Sequence, residues 1–319
     1  MEECAGGQRV PFGPGSVSIG LHPDSSLVAD RQIATLVEQA VRAERAGFDG
    51  VTASEHHDGF AGYLPQPLLV SSWILEATST VWSGPAPTIL SLRSARLLAE
   101  ELAWVAARFP RRLGAVLARG YARSDFEHLD VPFDERAERF VGELTILAAV
   151  MGVGSDSRSA NDAALKDWSR FGGALLVAAN SLEGVMRAAD MGLGVMFPGG
   201  EDPVRLGRLS RRYRERGGKG PVVWTRSVWV GDPPAAAVGE LERRYRAAAS
   251  PGMRQRSGFK VGLLHGPSDR VAATLQEEKR IVAADGVNLR VHLPGVPPAQ
   301  IGDMIDRIGR EVLPAAREH

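Results

Sequence analysis

The chain has 319 residues, of which 44% are hydrophobic, enough to bury a sizeable core. Lys and Arg total 38, as do Asp and Glu, so the formal net charge of +0 gives no electrostatic case for nucleic acid or an anionic membrane as a partner. The single cysteine, Cys4, excludes an internal disulfide framework and a cysteine-based metal cluster.

The N-terminal region has neither a basic segment nor the hydrophobic stretch of a secretion signal. No part of the sequence approaches eighteen uninterrupted apolar residues. We therefore expect a soluble, cytoplasmic protein. Residues 1–15 are rich in glycine and proline and predict a flexible tail, followed by a single domain over residues 16–319.

Strands and helices alternate along the rest of the chain. Hydrophobic patterning predicts strands at 17–21, 46–54, 85–90, 112–118, 175–179, 194–197, 222–230 and 287–293. Helical patterns occupy the intervals, at 68–79, 95–109, 135–151, 183–191, 204–216, 235–249 and 269–285, with a first helix around Ile33–Val41 and a last at 300–312. Eight such units predict an α/β fold of the (β/α)8 TIM-barrel type.

A doubly wound sheet with an appended domain is the structural alternative. It would require a change of composition near Gly152, where the chain is only modestly enriched in serine and glycine. The stretch from Gly152 to Lys166 is the best candidate for a mobile connection or lid, and Asp58 to Pro67 is a second candidate wall of a site.

Glu55-His56-His57 is the most informative motif, because it follows a buried strand. In α/β proteins, ligands gather beyond the carboxyl ends of parallel strands. The two histidines are open to three interpretations: a structural pair in a loop, metal ligands, or an acid/base pair beside a cofactor. Adjacent residues on a strand point to opposite faces, which disfavours chelation of one ion by His56 and His57.

Two further strand ends suggest an anion site. Arg119 follows the fourth strand and precedes Gly120, so its guanidinium could bind a phosphate, or form an ion pair with Glu127 or Asp130. Ser181 begins the helix after the fifth strand, where free backbone N–H groups bind phosphate well, but an N-cap serine commonly binds nothing.

Several segments in order carry a family resemblance. GFDGVTASEHH, the helix LLAEEL, the strand end LARGYARSDFEHLDVPFDERAERF, the turn VAANSLEGVMRAADMGLGVMF and the C-terminal RVHLPGVPP together resemble the bacterial luciferase-like flavin-dependent monooxygenases, over about residues 17 to 314. No single motif is decisive, but five in the right order are specific. The resemblance implies a (β/α)8 barrel that binds reduced FMN at the carboxyl face of its strands.

The resemblance also implies roles for individual residues. His56 matches the histidine that family members place over flavin and substrate, and is the expected proton-transfer residue; Asp125 matches an acidic residue that tunes the flavin environment. The implied cofactor-binding residues are Glu55, Ala86, Pro87, Arg119, Tyr121, Asn180, Ser181 and Gly184, with Glu55 and His57 as supports. The Ala86-Pro87 bond matches a cis peptide of the family, and we predict that it is cis, since proline lowers the cost of that form.

The implied reaction is a two-component monooxygenation. A separate flavin reductase would supply reduced FMN, which with O₂ gives a C4a-(hydro)peroxyflavin that oxygenates a small organic substrate. The available apolar and aromatic residues, Phe60, Tyr63, Trp168 and Phe171, suggest a hydrophobic or aromatic substrate. The resemblance also leads us to expect a homodimer, and no resident metal.

Two alternatives remain open. One is a hydride-transfer oxidoreductase of the same superfamily that uses the deazaflavin F420, although the Glu55-His56-His57 triplet favours the oxygen-using branch. The other is a flavin-binding barrel without catalysis, which the short segment between Gly152 and Arg170 favours, because a trimmed lid could expose the reacting flavin to water.

Overall fold

The computed structural model describes residues 10–153, 161–248 and 262–317. Its strands are β1 Val17–Leu21, β2 Gly50–Ala53, β3 Trp82–Pro85, β4 Thr88–Ile89, β5 Ala115–Ala118, β6 Leu175–Ala178, β7 Gly194–Phe197, β8 Val222–Val230, β9 Leu264–Gly266 and β10 Gly286–Arg290. Its α-helices are α1 Ala29–Arg45, α2 Pro67–Ala77, α3 Ala95–Arg108, α4 Arg123–His128, α5 Arg136–Val150, α6 Ala163–Lys166, α7 Trp168–Phe171, α8 Leu182–Asp190, α9 Pro203–Glu215, α10 Ala235–Ala248, α11 Ser268–Val282, α12 Pro298–Glu311 and α13 Leu313–Ala316.

The strands form a parallel sheet that curls into a barrel. Neighbours in the sheet follow the order β3-β2-β1-β10-β8-β7-β6-β5-β4. The two ends of this sheet are joined by a parallel bridge between Ser83 of β3 and Leu113, just before β5. β3 and β4 are two halves of one interrupted strand and together form one stave, the name used here for each strand position of the barrel. The barrel therefore has eight staves, and the predicted (β/α)8 fold is confirmed.

The third stave begins earlier than predicted. The sequence predicts one strand at 85–90, whereas β3 starts at Trp82 and β4 ends at Ile89, with Ala86-Pro87 between them. The Ala86-Pro87 bond is cis, as predicted. The prediction missed the start of the stave because Trp82 points into the barrel, where its ring lies 4.4 Å from that of Phe12.

The amino end of the barrel is filled by Phe12. This ring is fully buried among Trp82, Val116, Leu176, Met196 and Val223. Gly114 makes room for it, since a Cβ there would lie 2.8 Å from Phe12 Cε2. The structure therefore differs from the flexible tail predicted for residues 1–15: residues 11–13 are packed because an apolar ring closes the barrel. Residues 1–9, including Cys4, lie outside the described residues.

The described residues of the segment predicted as a lid lie at the same amino end. Residues 154–160 lie outside the described residues. The described part packs on α3, where Trp104 Nε1 donates to Asp162 Oδ2 at 3.1 Å, and it leads to Gly173, which contacts Leu113 and Pro11. The lid prediction for Gly152–Lys166 is wrong for these residues, because a connection from a helix to the next strand returns to the amino ends of the strands.

A different excursion lies at the carboxyl end of the barrel. Strand β8 runs past its barrel neighbours, and its outer residues Val228–Val230 pair with β9, a strand that the sequence patterning did not predict. Helix α10 belongs to the same excursion. Among the described helices, none combines the length and apolar character needed to cross a bilayer.

Candidate functional site

Glu55 lies in the wall of the barrel mouth and has both carboxylate oxygens occupied. Oε1 accepts from His57 Nε2 at 2.9 Å, and Oε2 accepts from the Thr88 hydroxyl and from the Ile89 backbone N–H at 3.0 Å. Arg93 Nη2 lies 3.4 Å from Oε1. Glu55 thus ties the loop after β2 to strand β4, His57 is bonded to it, and the Glu55 side chain is buried.

His56 points away from His57, as the alternation along the strand predicts. Its Nδ1 lies 2.7 Å from Asp125 Oδ2, and the His57 backbone N–H donates to Asp125 Oδ1 at 2.8 Å. A carboxylate only accepts hydrogen bonds, so Nδ1 carries the proton and Nε2 of the neutral ring is an acceptor. Asp125 is 0% exposed. Its contact with the cavity is therefore indirect, through the His56 ring that it orients.

Tyr121 connects His56 to open space. Its hydroxyl lies 3.2 Å from His56 Nε2, and donation from the phenol to this acceptor nitrogen fits the tautomer that Asp125 sets. The turn before it depends on Gly120, whose φ is +78° and where a Cβ would lie 2.8 Å from Ile89 Cγ2. Tyr121 is 38% exposed and lines a cavity at the barrel mouth. A proton can thus pass between the cavity and His56 through one phenol oxygen.

Aromatic rings from the loop after β2 cover His56. Phe60 stacks on the imidazole with ring centroids 4.3 Å apart, and Tyr63 meets it edge-on at 4.6 Å. The His56 backbone N–H also donates to the Leu64 carbonyl at 3.2 Å. These contacts leave His56 only 6% exposed. The loop predicted as a wall of the site is therefore a wall, and it shields the imidazole from solvent.

Arg119 and Ser181 follow strands that are direct neighbours. β5 and β6 pair in parallel, so the residues after them emerge at the same edge of the barrel. Arg119 is exposed, and the described residues give its guanidinium no ion pair with Glu127 or Asp130. Ser181 caps α8, accepting from the Gly184 N–H at 3.2 Å. An exposed guanidinium beside a helix N-terminus is a suitable environment for a phosphate group.

Asn180 and Gly184 contact neighbouring segments of the protein: Asn180 contacts Glu201 and Arg205, and Gly184 lies against Ala179. Asn180 Nδ2 donates to Glu201 Oε1 at 3.3 Å, and the Asn180 carbonyl accepts from Arg205 Nη2 at 2.5 Å. A Cβ at Gly184 would lie 3.0 Å from Ala179 Cβ, so the glycine lets the first turn of α8 pack closely on the chain before it. The Asn180 side chain therefore faces the loop after β7 rather than Arg119.

Ala86 and Pro87 stand between the two halves of the third stave. The Ala86 carbonyl accepts from Ser54 Oγ at 2.6 Å, and the Pro87 carbonyl accepts from the Glu55 backbone N–H at 3.0 Å. Both carbonyls are thus tied to the strand end that carries Glu55 and His56. The backbone at Ala86-Pro87 is held rigidly beside the histidine pair.

The cavity beside Tyr121 opens at the carboxyl side of β1, β8 and β10. It is lined by His22, Pro23, Asp24, Ser25, Phe60, Ala61, Gly62, Tyr63, Tyr121, Ser227, Leu241, Arg244, Arg290, His292, Leu293, Pro294, Gly295 and Val296. Phe60 and Tyr63 are therefore lining residues, as expected for the substrate site. Trp168 and Phe171 are not, because they pack near the amino end of β6.

Sequence reasoning missed the polar residues of this cavity, His22, Arg290 and His292. A signal was available, since His22 ends β1 and the other two end or follow β10. The rule that selects Glu55-His56-His57, that polar residues at carboxyl ends of parallel strands carry function, applies equally to these.

His22 and His292 are neutral imidazoles that lie side by side. His22 Nδ1 donates to the Gly62 carbonyl at 2.9 Å, and the two ring centroids are 5.5 Å apart. Burial, together with the nearby positive charge of Arg290, lowers the pKa of His22 well below its usual value. Burial lowers the pKa of His292 to about 4. Neither ring carries a charge at neutral pH.

The histidines do not build a metal site with other ligands. Over residues 10–153, 161–248 and 262–317, no group of three or more His, Cys, Asp or Glu side chains is placed to hold a metal ion. The observed partners of His56 and His57 are instead the carboxylates of Asp125 and Glu55.

Comparison with known sequences gives a match over most of the chain. A family model described as luciferase-like monooxygenase matches residues 15–306. An uncharacterized protein, y4vJ of Sinorhizobium fredii, is 32% identical over 128 residues, and this match spans 40% of the present chain and 35% of the relative's own length.

Solved structures share the barrel at low identity. The monooxygenase RslO1 from Streptomyces bottropensis aligns with a TM-score of 0.78 at 19% identity, covering 94% of this chain and 99% of that one. The oxygenating constituent of 3,6-diketocamphane monooxygenase from Pseudomonas putida, solved with FMN, gives a TM-score of 0.70 at 16% identity, covering 94% and 98%. An F420-dependent secondary alcohol dehydrogenase gives 0.71 at 18%, covering 95% and 99%. At these identities the likeness concerns the fold.

Proposed function

Because this chain belongs to the luciferase-like monooxygenase family, we propose that it uses reduced FMN and O₂ to oxygenate a small hydrophobic or aromatic substrate. The observation that carries the proposal is the line Asp125, His56, Tyr121, which ends at the cavity. It can take up and return a proton at a place where an organic molecule can bind.

The residues present fit FMN. Arg119, together with Ser181 and the free N–H groups of the first turn of α8, would hold the phosphate, because they pair an exposed cation with a helix N-terminus. The rigid backbone at Ala86-Pro87, beside His56, would support the ring system. When bound, reduced FMN supplies the electrons that activate O₂.

The chain's own residues would control protons and water. The Tyr121 hydroxyl would accept a proton from the reacting group in the cavity while passing its own proton to His56 Nε2, and the reverse transfer would return it. Asp125 would stabilise the imidazolium that forms transiently, as a carboxylate at Nδ1 does. Phe60 and Tyr63 would keep water from His56, so that protons pass only by way of Tyr121.

Variants of His56 and Tyr121 test the proposal. The purified protein is titrated with FMN, reduced anaerobically, mixed with O₂ and a panel of aromatic compounds, and the products are identified by mass spectrometry. His56→Ala and Tyr121→Phe should keep the affinity for FMN within about twofold yet lower product formation about 100-fold. His265→Asn, an exposed histidine of β9, is the matched control. Unchanged turnover in His56→Ala would remove this residue from the chemistry.

The same preparation separates the alternatives. Titration with F420, followed by a test for hydride transfer to or from an alcohol, would favour the deazaflavin branch if F420 binds and FMN does not. Tight FMN binding without any oxygenation would favour a non-catalytic barrel. The reason given for that last alternative, a trimmed lid at Gly152–Arg170, is weakened, because the described part of the segment lies far from the barrel mouth.

We propose a separate flavin reductase as the source of reduced FMN, and a homodimer as the assembly. Support for the dimer comes from exposed apolar side chains on two adjacent helices, Leu69 and Trp73 of α2 and Leu97 and Trp104 of α3. Sedimentation equilibrium on the full chain tests the dimer, with Trp73→Glu expected to shift the protein to monomer. A monomeric wild-type protein would contradict it.

A further inference from the structure

We infer that His22 and His292 bind the hydroxyl group of a hydroxylated aromatic substrate, an inference that rests on the proposed function and narrows its substrate class. The two histidines line the cavity that Tyr121 enters, and neither belongs to the line of residues that ends at Asp125.

His22 is the more constrained of the pair. It is 8% exposed, and its Nδ1 is used by the Gly62 carbonyl, an atom that only accepts. The Nδ1 atom therefore carries the proton and Nε2 is an acceptor. Within the described residues, Nε2 has no hydrogen-bond partner, and because His22 lines the cavity this acceptor is available to a ligand there. The ligand must bring a donor to this atom.

His292 adds a second polar atom in the same condition. Its Nδ1 is buried and has no partner among the described residues. The imidazole is neutral because burial lowers its pKa to about 4, so one nitrogen donates and the other accepts. The rings of His22 and His292 contact each other, with centroids 5.5 Å apart, and both line the cavity, so one small polar group beside the pair can reach both.

The charges around the pair select the kind of group. An ionised carboxylate has no proton to donate to His22 Nε2. Among the residues that line the cavity, the cations Arg244 and Arg290 outnumber the anion Asp24, so the cavity disfavours an ammonium group. A hydroxyl donates through its hydrogen and accepts through its lone pairs, so it satisfies both histidines and tolerates the neighbouring cations.

The rest of the cavity fits an aromatic body. Phe60, Tyr63 and Tyr121 contribute three rings to the wall, and Leu241, Leu293 and Val296 contribute aliphatic surface. Tyr63 meets both His22, at 4.9 Å between ring centroids, and His56, at 4.6 Å. A ring anchored by its hydroxyl at His22 would thus lie beside the aromatic cover of His56.

Three probes with one bicyclic body test the inference: 2-naphthol, 2-methoxynaphthalene and 2-naphthoate. Their binding to the full-length protein is measured by fluorescence titration, with and without FMN. The wild-type protein should bind 2-naphthol about tenfold more tightly than the methyl ether, the ratio for one good hydrogen bond. Tighter binding of 2-naphthoate than of 2-naphthol, or equal binding of 2-naphthol and its ether, would overturn the inference.

Variants locate the effect. His22→Asn keeps a donor near the Gly62 carbonyl but removes the acceptor at Nε2. It should abolish the preference for 2-naphthol over its ether while the affinity for the ether stays within about twofold. His292→Asn is the second variant should the first fail to fold, and it should reduce the same preference; His265→Asn is the matched control. An equal loss for both probes would point to a purely structural role and overturn the inference.

The two proposals fail in different ways. Loss of the hydroxyl preference in a protein that still oxygenates compounds with FMN would contradict the substrate class alone. Absence of oxygenation with FMN, in a protein that still prefers 2-naphthol at His22, would contradict the flavin reaction and leave the binding site in place.

Discussion

The Nδ1 atom of His56 lies 2.7 Å from Oδ2 of Asp125, so a fully buried carboxylate fixes which nitrogen of the imidazole carries the proton. This contact leaves Nε2 as the atom that faces Tyr121, 3.2 Å away. At the barrel mouth a proton can therefore move from the Tyr121 hydroxyl to His56 Nε2.

Replacing Asp125 with asparagine should reverse the assignment. The amide would present a donor to His56 Nδ1, move the ring proton to Nε2 and break acceptance from Tyr121. We expect product formation to fall about 100-fold or more, with FMN affinity unchanged, as for other buried carboxylates that orient a histidine. Single-turnover measurements with pre-reduced FMN give the rate, and Asp134→Asn, an exposed carboxylate, serves as control. A full rate in Asp125→Asn would show that the tautomer has no part in the reaction.

Arg119→Ala should weaken FMN binding. Removal of a charge-assisted contact to phosphate costs about 1.5 to 3 kcal/mol, which corresponds to a Kd about 10- to 100-fold higher. Riboflavin, which lacks the phosphate, should bind wild type and variant equally well. Fluorescence quenching measures both ligands, and Arg211→Ala, an exposed arginine of α9, controls for loss of positive charge. Equal weakening for FMN and riboflavin would place Arg119 away from the phosphate.

Phe12→Ala should destabilise the whole barrel. The ring is fully buried against Trp82, and truncation of a buried phenylalanine typically costs about 3 to 5 kcal/mol. Urea unfolding, followed by tryptophan fluorescence, should show a lower midpoint. Val10→Ala, at a position 63% exposed, should leave the midpoint unchanged. If both variants unfold like the wild type, Phe12 does not close the barrel in solution.

His292 should make stability fall in mild acid. Its pKa is about 4 in the folded protein and about 6.5 in the unfolded chain, so below pH 6.5 the unfolded state binds a proton that the folded state does not. The free energy of unfolding should therefore decrease as the pH falls from about 6.5 to about 4, by about 2 kcal/mol for this ring after allowance for its partial exposure. His22, whose pKa is also lowered, acts in the same direction.

Urea titrations at pH 7, 5.5 and 4.5 measure this dependence. His292→Gln should be less sensitive to pH than the wild type over that interval, and His265→Asn should match the wild type. Identical slopes for wild type and His292→Gln would mean that His292 titrates normally in the folded state.

The alternation of strands and helices was enough to predict the barrel, because each buried stave is a short apolar run and each helix has an amphipathic period. The predicted start of the third stave, at residue 85, was too late, because the packing of Trp82 on Phe12 decides that Trp82 belongs to the barrel. That contact joins residues 70 positions apart, and no local pattern reports it.

The candidate site was predictable where one strand end carried several ionisable residues, as at Glu55-His56-His57. Asp125 was expected only through the family resemblance, because its burial depends on a turn through Gly120 that no local pattern reports. Composition alone suggested a lid at Gly152–Lys166. This segment connects a helix to the next strand, and in a β/α repeat such connections lie at the amino end of the barrel, away from the site. The excursion after β8, which does border the cavity through Leu241, has an ordinary helical pattern.

The ten residues from Asp58 to Pro67 contact two different histidines at the barrel mouth, His22 and His56. The Gly62 carbonyl fixes the tautomer of His22, and the Leu64 carbonyl and the ring of Tyr63 hold His56. A lineage that exchanged this loop to accept a new compound would also disturb the proton-handling histidine. Evolutionary diversification of substrate choice should therefore concentrate elsewhere, at the end of β10 and in helix α10, where replacements leave His56 untouched.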